Sequence, residues 1–288
     1  MFAAQDQDDR RAGVRGLTRN HHGALARRLR RAAVGAVCAA SVALPLAGAA
    51  AAQAATTATA ATMTTAATKA TATTKAVATL TPLNLVNGWT NYGLYAAVTN
   101  INGIVHLRGE ITTKGTNPVA FTLPAGDRPA ARVYVPVDMC GNTNGRLDIK
   151  PTGVATVEAE GSDWANASCF TSLDGVSFAT SANSFTPLTL ENGWTSYGSG
   201  MAAPAVRNTS GIVHLEGAIQ TNGTNGGAFT LPPGDRPSAY FTVKADLCGA
   251  NNGSLFIEPS GVVVVETPAG GWPNAQCLTS LDGVSFAR

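Results

Sequence analysis

The sequence contains two long copies of one pattern, and this repeat constrains the fold more than any other feature. Residues 83–179 recur as residues 188–287, at an offset of 105 positions that becomes 108 after a three-residue insertion. Each copy is longer than the roughly 20 to 50 residues typical of solenoid repeats. The repeat therefore predicts two tandem domains, module 1 over residues 81–180 and module 2 over residues 185–288. The five-residue joint reaches at most ~18 Å, so the modules should lie close together.

Short alternating segments predict strands within each copy, and no window shows helical periodicity. In residues 104–111, Val105, Leu107 and Ile111 fall on one face of a predicted strand. Further strands of module 1 are predicted at residues 132–137, 146–150, 154–158 and 176–178. Six or more short strands in about 100 residues indicate an all-β chain, with one antiparallel, jelly-roll-like β-sandwich per module.

Asn-Gly and Asp-Gly pairs predict two-residue hairpin turns, because both central positions of such turns need a positive φ. The pairs lie at Asn144–Gly145 and Asp174–Gly175 and recur at Asn252–Gly253 and Asp282–Gly283. The aspartates of the last pair in each module are expected to be solvated turn residues.

The residues before the repeat predict export. A positive cluster at 27–31 precedes a mostly apolar run at 32–51. This order is typical of a signal peptide, predicted over residues 1–54, with an uncleaved membrane anchor as the alternative. Residues 55–80 are almost only Ala and Thr, which predicts a disordered tether, either O-glycosylated or plain. The mature protein is expected to be extracellular or associated with the cell wall, with no segment inserted in a membrane.

The charge of the predicted mature chain argues against a nucleic-acid partner. Beyond residue 54 the chain has 12 basic and 15 acidic residues, a formal charge of −3, although the full chain carries +2. This balance has the wrong sign for binding phosphates. With 44% apolar and only 13% charged residues, most of the chain should fold.

Four cysteines lie outside the leader and predict one disulfide in each module. Cys140 and Cys169 are 29 positions apart, as are Cys248 and Cys277. In an exported protein, such pairs indicate disulfides. Closing a loop of about 30 residues should stabilise a small domain by ~3 to 4 kcal/mol. A metal site is the alternative, and it is disfavoured because no Cys-x-x-Cys motif occurs and each module has one histidine.

Four short motifs occur in the same order in both modules. In module 1 they are Gly-Trp-Thr-x-Tyr-Gly from Gly88, Gly-Ile-Val-His-Leu-x-Gly from Gly103, Thr-Leu-Pro-x-Gly-Asp-Arg-Pro from Thr122, and Ser-Leu-Asp-Gly-Val-Ser-Phe from Ser172. This ordered set resembles the receptor-binding head module of phage tail-fibre and baseplate proteins, which is similar to modules in exported actinobacterial proteins. The resemblance covers roughly residues 80–288 and implies a compact β-domain that contacts cell-surface saccharide, often in trimers. Here the modules are in tandem and each adds a cysteine pair, so a homo-oligomer remains an open alternative.

Aromatic and histidine side chains at matched positions are the candidate ligand contacts. They are Trp89 with Trp194, Trp164 with Trp272, Tyr92 with Tyr197, and His106 with His214. Flat rings can stack on the apolar faces of sugars, but core packing is the favoured alternative for Trp89 and Trp194. Trp164 and Trp272 lie in polar loops before the second cysteine of each module and are favoured as ligand contacts. The histidines are expected to be packed, hydrogen-bonded strand residues more readily than catalysts.

No catalytic residue, metal or cofactor is predicted. The sequence has no Gly-x-Ser-x-Gly elbow, Walker-type loop or dinucleotide fingerprint. A glycosidase needs two carboxylates across a cleft. The acids matched between the copies are Asp127 with Asp235, Asp138 with Asp246, Asp174 with Asp282, and Glu158 with Glu266. Their positions favour solvated turns over a reaction centre.

Together these features predict a secreted, non-catalytic protein that attaches to cell-surface or cell-wall glycan through two tandem β-modules. Duplication would raise avidity when both sites engage together. The alternative is a structural or adhesive protein of the cell envelope whose modules bind other proteins or assemble.

Overall fold

The computed structural model describes residues 79–288. The predicted signal peptide, over residues 1–54, and all but the last two residues of the predicted tether lie outside the described residues. The described chain belongs to one compact unit.

Module 1 consists of short strands and one short helix. They are β1 (Thr81–Pro82), β2 (Trp89–Asn91), β3 (Ala97–Ile101), β4 (Ile104–Arg108), β5 (Glu110–Thr113), β6 (Val119–Thr122), β7 (Val133–Met139), β8 (Thr143–Ile149), β9 (Val154–Ala159), α1 (Trp164–Cys169), β10 (Thr171–Ser172) and β11 (Ser177–Ala179).

Module 2 repeats these elements in the same order. They are β12 (Thr186–Pro187), β13 (Trp194–Ser196), β14 (Ala205–Thr209), β15 (Ile212–Glu216), β16 (Ala218–Thr221), β17 (Gly227–Thr230), β18 (Phe241–Leu247), β19 (Asn251–Ile257), β20 (Val262–Glu266), α2 (Trp272–Cys277), β21 (Thr279–Ser280) and β22 (Ser285–Ala287).

Each module packs a four-stranded sheet against a seven-stranded one. In module 1 the orders are β1-β3-β4-β11 and β2-β5-β10-β7-β8-β9-β6, and module 2 has the same orders. Neighbouring strands pair antiparallel. The predicted fold class, all-β with two tandem antiparallel modules, is confirmed.

The core of each module is formed by the apolar face of the alternating strands. In β8, Leu147 and Ile149 are fully buried, whereas Arg146 and Asp148 point to the other face of the sheet. Module 2 buries Leu255 and Ile257 at the matched positions of β19. Burying each such side chain stabilises the fold by about 1.5 to 3 kcal/mol. The two copies fold alike because they repeat this inward-facing set.

The prediction of one strand over residues 104–111 is wrong, because the chain changes sheets at Gly109. β4 belongs to the four-stranded sheet and β5 to the seven-stranded sheet. Gly109 has a φ of +95°, and a Cβ there would overlap the Tyr95 carbonyl. The close approach of two backbone segments therefore requires glycine at this corner.

The predicted turn at Asn144–Gly145 is also wrong, since both residues lie within β8. The chain reverses three residues earlier, at Cys140–Asn142, where Gly141 has a φ of 69° and Asn142 a φ of 58°. Module 2 behaves identically, because Asn252 and Gly253 lie within β19. The reversal thus begins at the first cysteine of each disulfide.

Both predicted disulfides are confirmed. Cys140 is bonded to Cys169 and Cys248 to Cys277, with Cα separations of 5.9 and 5.7 Å. Such bonds indicate an oxidising environment, which agrees with the predicted export. Over residues 79–288, no helix has the length and apolar character needed to cross a membrane.

Gly109→Ala should lower the free energy of unfolding by about 2 kcal/mol or more, since the added methyl meets backbone at an unfavourable φ. Gly126→Ala is the matched control, because nothing lies within 4 Å of a Cβ there. Its effect should stay within about 0.5 kcal/mol. Urea unfolding of both variants measures the difference, and equal effects would contradict the sheet switch at Gly109.

Candidate binding site at the junction of the modules

The two modules meet along a seam that uses a different surface of each. Module 1 contributes the outer face of β7, β8 and β9, here called the sheet face, which carries Tyr134 and Arg146. Module 2 contributes the surface around the β21–β22 turn, here called the loop face, which carries Met201, Ser280 and Asp282. It also contributes Lys244 and Asp246 of β18, which bond Asp138 and Arg146 of module 1. The contact is heterologous because the two surfaces differ.

The backbone of β7 is bonded by side chains of the loop face. Ser280 Oγ donates to the carbonyl of Tyr134 at 2.7 Å, and the N–H of Tyr134 donates to Asp282 Oδ2 at 3.3 Å. The ladder between β7 and β10 contains only Met139, so this stretch of β7 is otherwise an edge. Module 2 therefore satisfies backbone groups that an open edge would expose.

The insertion in the second copy builds the apolar part of the seam. Residues 199–204 replace three residues of module 1, and they include Gly200 and Met201. The Gly200 carbonyl accepts the N–H of Arg132 at 2.9 Å. Met201 packs against the ring of Tyr134 in a small cluster that also contains Ala218 and Leu278.

Arg146 joins the modules through charge. Its guanidinium donates to Glu158 of its own module at 2.6 Å and to Asp246 of module 2 at 3.2 Å. It also stacks over the Tyr134 ring, with 3.9 Å between Cζ and the ring centroid. A planar guanidinium can bond two carboxylates while stacking, which an ammonium cannot. Oδ1 of Asp246 is buried and has no hydrogen-bond partner among the described residues.

The expectation that Asp174 and Asp282 are both solvated is wrong for the second. Asp174 is exposed, but Asp282 is only 2% exposed because module 1 covers it. Its Oδ1 accepts the N–H of Gly217 at 2.9 Å and its Oδ2 that of Tyr134. The same residue in the same local turn therefore bonds the neighbouring module only in module 2.

Burial at the seam raises the pKa of several carboxyls. The pKa of Asp282 is raised to about 7, mainly by burial and against the effect of its two backbone donors. Burial also raises the pKa of Glu216 to about 7, opposed by the charge of Arg207. The pKa of Asp246 is raised to about 7 by burial, although Arg146 opposes the shift. Burial therefore favours the protonated forms of Asp282 and Glu216 near neutral pH, while Asp246 lies beside the Arg146 guanidinium.

The two predicted histidine contacts lie half-buried in matched strands. His106 pairs in register with Thr99 and Ser177, and His214 occupies the corresponding position of β15. Burial lowers the pKa of both, and that of His214 falls to about 4 with contributions from His106 and Arg207. The placement of the two histidines within strands favours packing over ligand contact.

The four tryptophans form two edge-to-face pairs, one in each module. Trp89 packs against Trp164 and Trp194 against Trp272, with ring centroids 5.9 and 6.1 Å apart. Trp89 and Trp194 are each 3% exposed and belong to the core. The core-packing alternative therefore describes these two residues.

Trp164 and Trp272 are half-buried at the start of a helix, where the sequence predicted a loop. α1 and α2 each begin at the tryptophan and end at the second cysteine of the disulfide. The indole N–H of Trp164 donates to the Gly115 carbonyl at 3.0 Å, and that of Trp272 donates likewise to Gly223. Both rings are therefore fixed by a hydrogen bond, a core tryptophan and a disulfide-linked helix.

Trp164 borders a pocket of about 290 Å³ at the seam. The other lining residues include Pro118, Val157, Glu158 and Ser162 of module 1, and Gly249 and Ala250 of module 2. The walls are mostly apolar with a few polar groups, the composition typical of ligand sites, and the volume is near the lower end for such sites. Within the described residues, no third module supplies the corresponding wall beside Trp272.

The matched tyrosines, Tyr92 and Tyr197, differ in their exposure to solvent. Tyr92 is 61% exposed and rests edge-to-face on Phe170, with ring centroids 5.4 Å apart. Tyr197 is partly buried against the seam cluster of Tyr134 and Met201. Only the tyrosine of module 1 is therefore open to a ligand or partner.

An open cleft of about 750 Å³ lies where the sheet face of module 2 meets Asn144 of module 1. Its lining includes Asn144, Thr242, Lys244, Asn252, Ser254 and Glu266. Tyr240 and Phe256 stack at 5.5 Å, and Phe256 follows Ser254 on the same face of β19. Sequence analysis missed this aromatic pair because module 1 has Arg132 and Asp148 at the matched positions. Differences between the copies were the signal that could have located it.

Over residues 79–288, no group of three or more His, Cys, Asp or Glu side chains is placed to hold a metal ion. Comparisons of the chain with protein-family models, with curated proteins and with solved structures each found no match. The resemblance to tail-fibre head modules therefore stays a prediction that rests on the motifs.

The buried carboxyls predict that stability falls as the pH rises past neutrality. With pKa values of about 7, folded Asp282 and Glu216 keep protons that the unfolded chain releases. Their stabilisation is complete below about pH 4 and is lost as the pH rises through about 7. His214 acts oppositely, because its lowered pKa of about 4 costs stability below about pH 6.5.

Urea unfolding between about pH 6.5 and about pH 8 should therefore isolate the carboxyls, with a slope of at most about 1.4 kcal/mol per pH unit for each. Glu216→Gln should reduce this slope. The same replacement at the exposed Glu191 should leave it unchanged. An unchanged slope in Glu216→Gln would show that this carboxyl does not contribute.

Proposed function

We propose that the protein is a secreted, non-catalytic binding protein that attaches to cell-surface glycan, with the pocket at Trp164 as its principal site. The observation that carries the proposal is a half-buried indole that borders a small, mostly apolar pocket beside a carboxylate and a hydroxyl. Glu158 and Ser162 supply these polar groups.

The chemistry of this pocket suits a sugar residue. An indole can cover the apolar face of a pyranose ring, while a carboxylate and a hydroxyl accept or donate hydrogen bonds to its hydroxyls. The N–H of Trp164 is already bonded to Gly115, so the ring presents an apolar surface and has no donor left to satisfy. Because the ring and its helix are held rigidly, little side-chain freedom is lost on binding.

The two modules should not contribute equally to ligand binding. The wall formed by Gly249 and Ala250 encloses Trp164, whereas Trp272 lacks such a wall within the described residues. A ligand at Trp164 can bury more surface than one at Trp272. The simple expectation of two equivalent sites is therefore replaced by one principal site at the seam and a shallower one on module 2.

A structural or adhesive role is the second candidate function. It is favoured by the exposed aromatic side chains of Tyr92, Tyr95 and Tyr240, which lie outside the pocket. Contiguous exposed apolar surface is more typical of protein contacts than of monomeric surfaces.

A glycan array with the secreted chain should give specific saccharide hits, and titration calorimetry with the strongest hit then tests the site. Trp164→Phe should weaken binding about tenfold, because it removes ring area and the bond that fixes the ring, a loss near 1.4 kcal/mol. Trp272→Phe is the matched control, since it removes the equivalent hydrogen bond to Gly223 and alters the equivalent contact with Trp194 in module 2.

We expect the two variants to lose similar stability, while only Trp164→Phe loses most of its affinity. Equal affinity in the wild type and Trp164→Phe would place the site elsewhere. An array without hits would overturn the glycan proposal and favour the adhesive role.

A further inference from the structure

Each module has both a sheet face and a loop face, but the seam joins the sheet face of module 1 mainly to the loop face of module 2. Module 2 also uses Lys244 and Asp246 at one end of its own sheet face. The loop face of module 1 and the end of module 2's sheet face that carries Tyr240 and Thr242 are therefore uncovered within the described chain. A heterologous contact always leaves such complementary surfaces, which either continue the assembly or close it into a ring. The seam itself shows how the two surfaces fit.

The loop face of module 1 retains the groups that bond the backbone at the seam. Ser172 and Asp174 are the counterparts of Ser280 and Asp282. Asp174 already accepts the N–H of Gly109 at 2.8 Å, as Asp282 accepts that of Gly217. Asp174 is exposed, so its second oxygen is available for a bond equivalent to the one Asp282 makes.

The same face of module 1 exposes apolar side chains. Tyr95 is 78% exposed, and Tyr92 and Leu94 are exposed beside it. The corresponding part of module 2 is covered at the seam, where Met201 is buried against Tyr134. An apolar surface that is buried in one module and open in the other indicates a missing partner.

The sheet face of module 2 offers the matching receptor. Thr242 occupies the position of Tyr134 and is exposed, and the open cleft of about 750 Å³ lies over this part of the face. Tyr240 is 66% exposed and stacks on Phe256, in place of the ion pair between Arg132 and Asp148. Because two aromatic rings replace a charged pair, this part of the sheet face of module 2 suits an apolar partner.

We propose that a second copy of this chain docks the loop face of its module 1 on the sheet face of module 2. Ser172 and Asp174 of the second copy would bond the backbone of Thr242, as Ser280 and Asp282 bond that of Tyr134. Tyr92 and Tyr95 of the second copy would cover Tyr240. The inference rests on the repeated seam and does not depend on the proposed function.

Sedimentation velocity of the secreted chain over a concentration series tests this docking. The wild type should self-associate, and Tyr240→Ser and Tyr95→Ser should each weaken association at least about tenfold, as central aromatic anchors do. Both side chains are largely exposed, so the variants should fold. Ile101→Ser is the matched control, because it removes an exposed apolar side chain outside both faces and should leave association unchanged.

Mixing the two variants distinguishes this geometry from any other self-association. Tyr240→Ser keeps the loop face of module 1 intact, and Tyr95→Ser keeps the sheet face of module 2 intact. An equimolar mixture should therefore form heterodimers although neither variant associates alone. A wild type that stays monomeric at its highest soluble concentration would overturn the proposal. So would a mixture that forms no heterodimer, or association that neither substitution weakens. Because no glycan is present, the outcome is independent of the array experiment.

Discussion

The carboxyl of Asp282 is the contact on which the arrangement of the modules depends. It accepts one N–H from its own module, at Gly217, and one from β7 of module 1, at Tyr134. Both donors are strong backbone groups, and removing the acceptor would leave them buried without partners, at about 1 to 3 kcal/mol each. Together with Ser280, this carboxyl sets the register between the modules, and the register in turn places Gly249 and Ala250 beside Trp164.

Duplication has produced two modules that share a core but differ where they touch. Asp174 and Asp282 lie in the same local sequence, yet one is solvated and the other is buried. The difference arises because module 1 covers Asp282, whereas no module covers Asp174 within the described residues. The sheet faces also differ, since Tyr134 and Arg146 of module 1 are Thr242 and Ser254 in module 2. A surface that serves as a seam in one copy is thereby left available for an external contact in the other.

Local patterns were enough to predict much of the fold, but not the contacts between its parts. Strand periodicity identified the buried face around Val105 and predicted a strand around Leu147, and the equal spacing of the cysteine pairs predicted both disulfides. The change of sheet at Gly109 was missed because alternation continues through it. The burial of Asp282 could not be predicted from its turn, since it depends on residues nearly 150 positions away. The candidate site was predicted only in part, because Trp164 was identified but the module 2 wall of its pocket was not.

Glu158 connects the proposed ligand pocket to the seam. It lines the pocket beside Trp164, and its carboxylate is also bonded to Arg146, which reaches across to Asp246. The pocket carboxylate is therefore oriented by an ion pair within module 1, whose arginine also bonds Asp246 across the seam. A ligand in the proposed pocket would favour modules that are in contact, because Gly249 and Ala250 of module 2 form one of its walls. By mass action, such a ligand would stabilise the seam that completes its site.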